Sequence, residues 1–273
     1  MPTDISLWTR TMVAELIQSS HRNVPVFTNN GNPGTNDVGQ ALMELDAGAN
    51  QVENSSGSLV DSIHLVYQNI DVPAFPRTWK KEHLWANSRG VIGNGTDYND
   101  VHAIRPVNSA VHTVRDELWY SECEILEKVD ACNIPAQGAA NDTCQCNRIF
   151  TPPEDSRGSI ARIIMYMDLR YDGNEADTLD LVLTDCPFNP TTDMGYLSQM
   201  ITWSNDYNVT DAETTRNDMV CTNWQGSRNP FVDFQLAELL HSPANLLPEE
   251  GRLIHEICED IPTSAPTFEA NDC

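Results

Sequence analysis

Acidic, imidazole and guanidinium side chains are concentrated in one short stretch of this sequence, residues 79–115. The pair Glu82-His83 comes first, and His112 and Arg115 follow near the end of the stretch. A carboxylate can hold a divalent cation, an imidazole can take a proton from water, and a guanidinium can neutralise a phosphate. Together these residue types are typical of metal-assisted phosphodiester hydrolysis, so this stretch is the first candidate site.

Two short strands would have to position the Glu-His pair. Alternation and turn residues predict strands at residues 79–85 and 100–105, joined by a turn-rich connector that includes GVIGNGTDYN. Successive side chains on a strand point to opposite faces. Glu82 and His83 can therefore share a site only near the end of their strand, where the backbone turns.

A helix is predicted to follow the second strand. Pro106 suits its first position, and an apolar stripe would face the core. That stripe consists of Val107, Ala110, Val111, Val114 and Leu118. At about 100° per residue, Asn108, His112 and Arg115 fall on a separate stripe. This second stripe is either one wall of a site or an ordinary solvated face.

The charge balance is unusual for a protein that would act on phosphates. The chain of 273 residues has a net charge of −24, which would repel nucleic acid. Residues 77–115 reverse the balance, with six basic side chains against three acidic ones. This basic island is either a locally attractive cleft or ordinary variation along the sequence.

The cysteines indicate an oxidising compartment. There are eight, without a CxxC pair, which favours disulfides over a zinc site, and Cys144 and Cys146 are interpreted as two staples leaving one loop. Four Asn-x-Ser/Thr sequons point the same way, at Asn54, Asn94, Asn141 and Asn208. The N-terminus does not have the pattern of a signal peptide, and no window has the apolar length of a membrane span. We therefore predict a secreted glycoprotein without a membrane segment, whose signal peptide is not part of this chain.

The rest of the chain is predicted to form one mainly helical domain, residues 4–245. Helical spacing and alternation predict helices at residues 4–18, 38–46, 157–173, 197–203 and 211–219, and a strand at residues 63–67. Residues 246–273 are acidic and contain Pro and Thr, which is typical of a tail.

Five blocks of this sequence, in order, resemble the endonuclease I family of secreted and periplasmic nucleases. WKKEHLWANS is similar to a Glu-His-Val-Trp-Pro block, and DVHAIRP to an Asp-Leu-His-x-(Leu/Ile)-x-Pro strand. VHTVR stands where the family usually has Val-Asn-x-x-Arg on a helix. The last two blocks are RGSIARIIMYMDLRYDG, similar to an Arg-Gly-x-x-Ala-Arg helix, and TTRNDMVCTNWQGSRNPFVD, similar to the closing block. The resemblance covers roughly residues 60–235.

The resemblance implies an α+β fold: a mainly helical single domain, stapled by disulfides, around a ββα-metal (His-Me) finger at about residues 79–118. It also implies roles by position. Glu82 is a metal ligand, and His83 is the general base that activates water. His112 stands where the family usually has an asparagine as second ligand. Arg115 matches the helix arginine, which contacts phosphate or supports the site.

His112 is the departure from the family pattern that bears on the metal. One divalent cation is expected, Mg²⁺ first, but imidazole suits Mn²⁺ or another transition metal better. His112 would then ligate and shift the metal preference, or Asn108, one turn earlier, would supply an oxygen instead. The third outcome is a site that binds metal poorly, and hence a weakened nuclease.

The remaining candidates complete the predicted mechanism. Arg105 or Arg115 would neutralise the phosphate. His102 would contact a metal ligand and orient it without binding the metal itself. The candidate substrate contacts are Arg89, Lys80 and Lys81. The predicted function is a metal-dependent, largely sequence-nonspecific endonuclease acting on DNA, with RNA open as a further substrate and no obligate protein partner.

Two other functions remain open. The first is a secreted glycoprotein that keeps the nuclease fold but serves in binding, which the altered helix ligand and the net charge of −24 favour. The second is a zinc hydrolase of another substrate class that uses His83, His102 and His112. No HExxH or similar spacing supports this zinc site.

Overall fold

Helices supply most of the regular structure in this computed structural model. It describes residues 8–22, 25–27, 37–91, 93, 95–123, 138–146, 148–187, 189, 191–234, 236, 237 and 240. The helices in these ranges are α1 (Arg10–Ser20), α2 (Val38–Leu45), α3 (Thr96–Asn99), α4 (Ser109–Arg115), α5 (Glu154–Arg170), α6 (Leu197–Asp206), α7 (Asp211–Met219) and α8 (Pro230–Asp233). A π-helical turn, Val220–Trp224, continues α7.

The strands are short and form separate small sheets. They are β1 (Val52–Glu53), β2 (Leu59–Val60), β3 (Ser62–Leu65), β4 (Ile70–Pro73), β5 (Trp79–His83), β6 (Ile104–Asn108), β7 (Trp119–Tyr120), β8 (Cys144–Cys146), β9 (Ile149–Thr151), β10 (Val182–Leu183) and β11 (Asp193–Met194). The pairs β1–β2, β3–β4 and β5–β6 are antiparallel, and β10–β11 is parallel. In the three-stranded sheet β9 lies between β7 and β8.

Helix α5 lies at the centre of the larger of two hydrophobic clusters. Every residue of α5 from Ile160 to Arg170 is buried, the charged ones included, so this part of the helix is enclosed by other elements on all sides. It packs against α6, α1 and α8. Its buried Arg162 is neutralised by Glu213 of α7, through two hydrogen bonds of 2.6 and 2.8 Å. Helix α5 is therefore the scaffold on which the other elements are assembled.

A second hydrophobic cluster joins α2 to β3 and β6. Helix α2, strand β6 and helix α7 are also connected by buried charged side chains, the buried ion group of Asp46, Arg105 and Arg216. Asp46, the residue after α2, accepts from Arg216 Nε of α7 at 3.0 Å and lies 2.8 Å from Arg105 Nε of β6. Arg216 also donates to the backbone carbonyls of Val101 and Ile104. Because buried charges are tolerated only when they are paired, this group ties the three elements together.

The helix predicted from Pro106 begins later than expected. Pro106 lies within β6, opposite Lys81 of β5, and α4 starts only at Ser109. Asn108 is the cap residue, and its Oδ1 accepts from Ala110 N at 2.8 Å. Pairing with the whole length of β5 keeps residues 106–108 extended, so the prediction of a helical Pro106 was wrong.

The strand predicted at residues 100–105 is observed as β6 (Ile104–Asn108), so only the last two residues of that prediction lie in the strand, whereas the other predicted elements are found close to their expected positions. Helices α2, α5, α6 and α7 and strand β3 confirm the predictions for those regions, within a few residues at the ends. The first predicted helix is observed as α1; its predicted start, residues 4–7, lies outside the described residues, as do sequon Asn94 and the predicted tail, residues 246–273. The boundary of the predicted domain at residue 245 stays a prediction.

Disulfides staple the region after β7, as the cysteine pattern predicted. Cys123 is bonded to Cys146 of β8, with 5.8 Å between their Cα atoms. Cys144 and Cys186 each take part in a disulfide as well. Because Cys144 and Cys146 are both disulfide-bonded, the interpretation of these two cysteines as two staples is confirmed. Cys221 carries a free thiol in the part of the chain that the structure describes. In the same residues no helix is both long and apolar enough to cross a membrane.

Candidate active site

A β-hairpin and the helix after it frame the candidate site. Strands β5 and β6 pair in antiparallel register from Trp79 opposite Asn108 to His83 opposite Ile104. Helix α4 follows β6 directly and packs against both strands. The connector between the strands contains α3. The local order is thus strand, strand, helix, with the pair Glu82-His83 at the end of β5.

Glu82 is buried, with about 1% of its surface exposed. Its Oε1 accepts a hydrogen bond from the Tyr67 hydroxyl at 3.1 Å and lies 3.2 Å from Arg115 Nη1. Its Oε2 contacts Nδ1 of His112 on α4. The carboxylate is therefore held on both sides, and its second oxygen faces His112, the helix residue that the family resemblance implied as second ligand.

His112 brings a partly exposed imidazole to this carboxylate. Its side chain is 42% exposed, whereas that of Glu82 is 2% exposed. Because Nδ1 faces Glu82, Nε2 is the nitrogen left for another ligand. Carboxylate and imidazole are both ligands of divalent cations, and Mg²⁺ or Mn²⁺ commonly completes its shell with water and substrate phosphate. No group of three or more His, Cys, Asp or Glu residues suited to a metal occurs within the described ranges, so the donor set here is a pair.

His83 points its ring away from Glu82, as alternation along a strand requires. Its Nε2 lies 2.8 Å from the carbonyl oxygen of Tyr98, which can only accept, so Nε2 carries the hydrogen. In the neutral ring, Nδ1 then holds the lone pair. Burial lowers the pKa of His83 to about 4, against the raising effects of the Tyr98 carbonyl and of Glu82. At neutral pH the ring is therefore uncharged, with its lone pair at Nδ1.

Two aromatic rings enclose His83. Phe27 stacks on it with ring centroids 5.0 Å apart and an interplanar angle of 30°, and Tyr98 lies 4.7 Å away at 33°. Lys81, two residues before His83 on the strand, places Nζ 3.8 Å from the centre of the Phe27 ring. Lys81 is partly buried, and this burial lowers its pKa to about 8.

Arg115 contacts both Glu82 and the backbone of His83. It is fully buried, and Nη1 donates to the backbone carbonyl of His83 at 3.0 Å while also facing Glu82. Its other terminal nitrogen donates to the carbonyl of Leu84, and the guanidinium lies over the Tyr120 ring at 4.7 Å. These contacts fit the supporting alternative for Arg115 better than contact with phosphate.

The other two candidate arginines also have internal partners. Arg105 lies in the buried ion group with Asp46. Arg89 donates from Nε to the carbonyl of Glu117 at 2.8 Å and lies over the ring of Trp119. Lys80 is the exposed cation among the candidates on β5. Their roles towards a substrate stay predictions, and the contacts favour Lys80 over the two arginines.

Asn108 and His102 lie outside the Glu82–His112 contact. Asn108 uses its Oδ1 to cap α4. His102 is buried, and its Nε2 lies 3.1 Å from the carbonyl of Ser227. Its backbone N–H donates to Asp100, a buried carboxylate that also accepts from Tyr166 and Tyr171. His83, His102 and His112 thus have separate partners and do not form a three-histidine site.

A pH prediction follows from His102. Burial lowers its pKa to about 4, so it stays neutral in the folded protein while the unfolded chain protonates near 6.5. Its contribution to stability is fully present above pH 6.5 and is lost as the pH falls towards 4. The loss should reach about 3 kcal/mol at the lower end. Burial lowers the pKa of His83 to about 4 as well, so urea denaturation from pH 7 to 4 should show a slope that His102→Gln reduces but does not abolish. Equal slopes in both proteins would contradict the prediction.

Several residues that complete the site carried no signal in the sequence. Tyr67 and Tyr120 share a hydrogen bond beneath Glu82, and burial raises the pKa of both hydroxyls, so they stay protonated donors. Phe27 and Tyr98 enclose His83. None of them stands at a fixed short spacing from its partner, so spacing within one element could not have identified them.

The β5–β6 hairpin and helix α4 lie within a longer stretch of sequence that is similar to known proteins. A sequence model of Endonuclease I matches residues 28–235. An extracellular ribonuclease of Bacillus subtilis (strain 168) is 29% identical over 157 residues, which are 57% of this chain and 51% of the relative. An extracellular ribonuclease of Bacillus amyloliquefaciens is 29% identical over 157 residues, 57% of this chain and 50% of the relative. The chain thus spans about half the length of these curated relatives.

Proposed function

The chain belongs to the endonuclease I family, and on this premise we propose that it is a metal-dependent, largely sequence-nonspecific endonuclease that hydrolyses phosphodiester bonds. The observation that carries the proposal is the contact of Glu82 with His112 at the end of β5, where the next residue, His83, directs its ring to the other face and has its Nε2 2.8 Å from a carbonyl oxygen. One residue pair is suited to a cation, and the neighbouring ring is suited to accept a proton.

The family generally uses a divalent metal, and the donor pair fits one. Glu82 and His112 would hold the cation, with Mg²⁺ as the first expectation and Mn²⁺ or another transition metal favoured by the imidazole. A bound cation would neutralise charge on the phosphate and on the departing oxygen. Asn108 is the weaker candidate ligand because its carbonyl oxygen caps α4.

The chain's own groups supply the rest of the mechanism. His83 accepts at Nδ1 the proton of the attacking water, and the Tyr98 carbonyl stabilises the imidazolium through Nε2–H. Arg115 fixes the end of β5 and the Glu82 carboxylate rather than touching substrate. Lys80 and Lys81 are the cations on this strand that would attract the phosphate backbone.

RNA is proposed as a substrate beside DNA because the relatives are named extracellular ribonucleases. The same names, together with the Cys123–Cys146 disulfide, support secretion into an oxidising compartment. With a net charge of −24, binding of either polymer should be weak and sensitive to salt.

A second function is favoured by one specific observation. Both oxygens of Glu82 already have partners, Tyr67 and Arg115 on one side and His112 on the other. A carboxylate so engaged could bind a cation weakly, and the protein would then be a nuclease fold that serves in binding.

Removal of metal separates the two functions. Cleavage of supercoiled plasmid and of a structured RNA would be measured with Mg²⁺, Mn²⁺, Zn²⁺ or EDTA, for the wild type and for His112→Asn. We expect cleavage that EDTA abolishes, and a shift of preference towards Mg²⁺ in His112→Asn because amide oxygen is a harder ligand. No cleavage by the wild type but cleavage by His112→Asn would establish the binding alternative.

A further inference from the structure

We infer that Phe27 is a positioning residue for His83 that holds the plane of its imidazole ring. The inference rests on the proposed role of His83 as general base. Phe27 lies one residue before the start of the match to the Endonuclease I model and far along the chain from His83. It therefore reaches the site through tertiary packing and is not part of the β5–β6 hairpin.

Three rings form a closed triangle at the end of β5. The centroids of Phe27 and His83 are 5.0 Å apart, those of His83 and Tyr98 4.7 Å, and those of Phe27 and Tyr98 4.9 Å. Phe27 is nearly parallel to the imidazole, whereas it meets Tyr98 at 60°. Each ring thus limits the tilt of the other two.

The hydrogen bond from His83 Nε2 to the Tyr98 carbonyl does not by itself fix the plane of the imidazole ring. The contact of Nε2 with the Tyr98 carbonyl fixes one nitrogen, but the ring can still swing about that bond and move Nδ1 off the attacking water. A ring stacked on the imidazole face blocks this swing. Since misplacement of a reacting group by about 1 Å can lower the rate by about 100-fold, fixing the plane has a large effect on turnover.

Phe27 is itself firmly held. Its backbone N–H donates to Asn99 Oδ1 at 2.7 Å, and Asn99 follows Tyr98 on α3. The neighbouring Val26 carbonyl accepts from Val38 N at 3.0 Å at the start of α2. On the strand side Phe27 contacts both Lys81 and His83, which share one face of β5. The ring therefore lies between α3 and β5 and contacts residues of both.

Steady-state kinetics of the full chain test the inference. For Phe27→Leu we expect kcat for plasmid cleavage to fall by about 10- to 100-fold while KM stays unchanged, because a misoriented base slows the chemistry without weakening binding. Phe27→Tyr, which keeps the ring, should restore most of kcat. Val26→Ala is the matched control in the same segment, since its side chain is 56% exposed and its backbone bond remains.

Folding and the proposed function are controlled separately. Near-UV circular dichroism would verify that each variant is folded, and Phe27→Met, of similar volume, would replace Phe27→Leu if the latter is not. Folded Leu or Met variants with wild-type kcat, or a loss that Phe27→Tyr shares, would overturn the inference alone. Full activity of His83→Ala would overturn the proposed base and the positioning role together.

Discussion

Replacing His83 with alanine is expected to lower kcat by about 10²- to 10⁴-fold, the range for loss of a general base. The variant removes the only proposed proton acceptor at the end of β5 but leaves Glu82 and His112 in place. Metal binding and substrate binding should therefore stay close to those of the wild type. Single-turnover cleavage of plasmid with saturating metal would measure the chemical step directly.

The matched control for this substitution is His64→Ala. His64 is also a strand histidine beside a carboxylate, with Nδ1 2.9 Å from Asp71, but it has no part in the proposed mechanism. It should cleave at the wild-type rate. A folded His83→Ala that cleaves as fast as His64→Ala would mean that the proton is taken by another group, and the proposed mechanism would fail.

Substitution of Glu82 should produce the largest combined loss of stability and metal binding. Glu82→Ala leaves Arg115 buried without its carboxylate, which typically costs about 3 to 5 kcal/mol of unfolding free energy. Glu82→Gln keeps an oxygen for Tyr67 and Arg115 but removes the charge that attracts the cation. We therefore expect Glu82→Gln to be more stable than Glu82→Ala and still to bind Mn²⁺ far more weakly than the wild type.

Urea denaturation and isothermal titration with Mn²⁺ would separate these two effects. Glu213→Gln is the control, because Glu213 also neutralises a buried arginine, Arg162, through two short hydrogen bonds. It should lose stability while its folded fraction binds metal and cleaves normally. If Glu82→Gln bound Mn²⁺ as tightly as Glu213→Gln, the assignment of Glu82 as a ligand would be wrong.

The resemblance to the endonuclease I family, rather than spacing, paired Glu82 with His112, which lie 30 residues apart in the sequence. They meet because β5 pairs with β6 and α4 follows β6 directly. Reasoning from local sequence failed at Pro106, where helix preference was overridden by pairing with β5. The helix preference of a short segment cannot show how far that segment will pair with a neighbouring strand.

Partners that are far away in the sequence could not be foreseen. Arg105 stands in the basic island, yet its partner Asp46 lies at the end of α2. Arg89 reaches the carbonyl of Glu117, and Phe27 contacts His83 although α2 and strands β1 to β4 lie between them in the sequence. A formal charge count treats such arginines as surface cations, whereas tertiary packing neutralises them internally. The basic island is therefore less basic towards solvent than its composition indicates.

The ion group around Asp46 has a consequence for the timing of folding. Arg216 reaches Asp46 across a sequence separation of 170 residues, so the group cannot close until most of the chain has been synthesised. Contacts of such long range make folding slow, and they leave partly made chains without their final core. Arg216 also donates to the carbonyl of Ile104, the residue of β6 that pairs with His83. This hydrogen bond to β6 therefore also forms only after Arg216 has been synthesised. A chain synthesised only as far as the end of α6 would thus lack the hydrogen bond from Arg216 to β6.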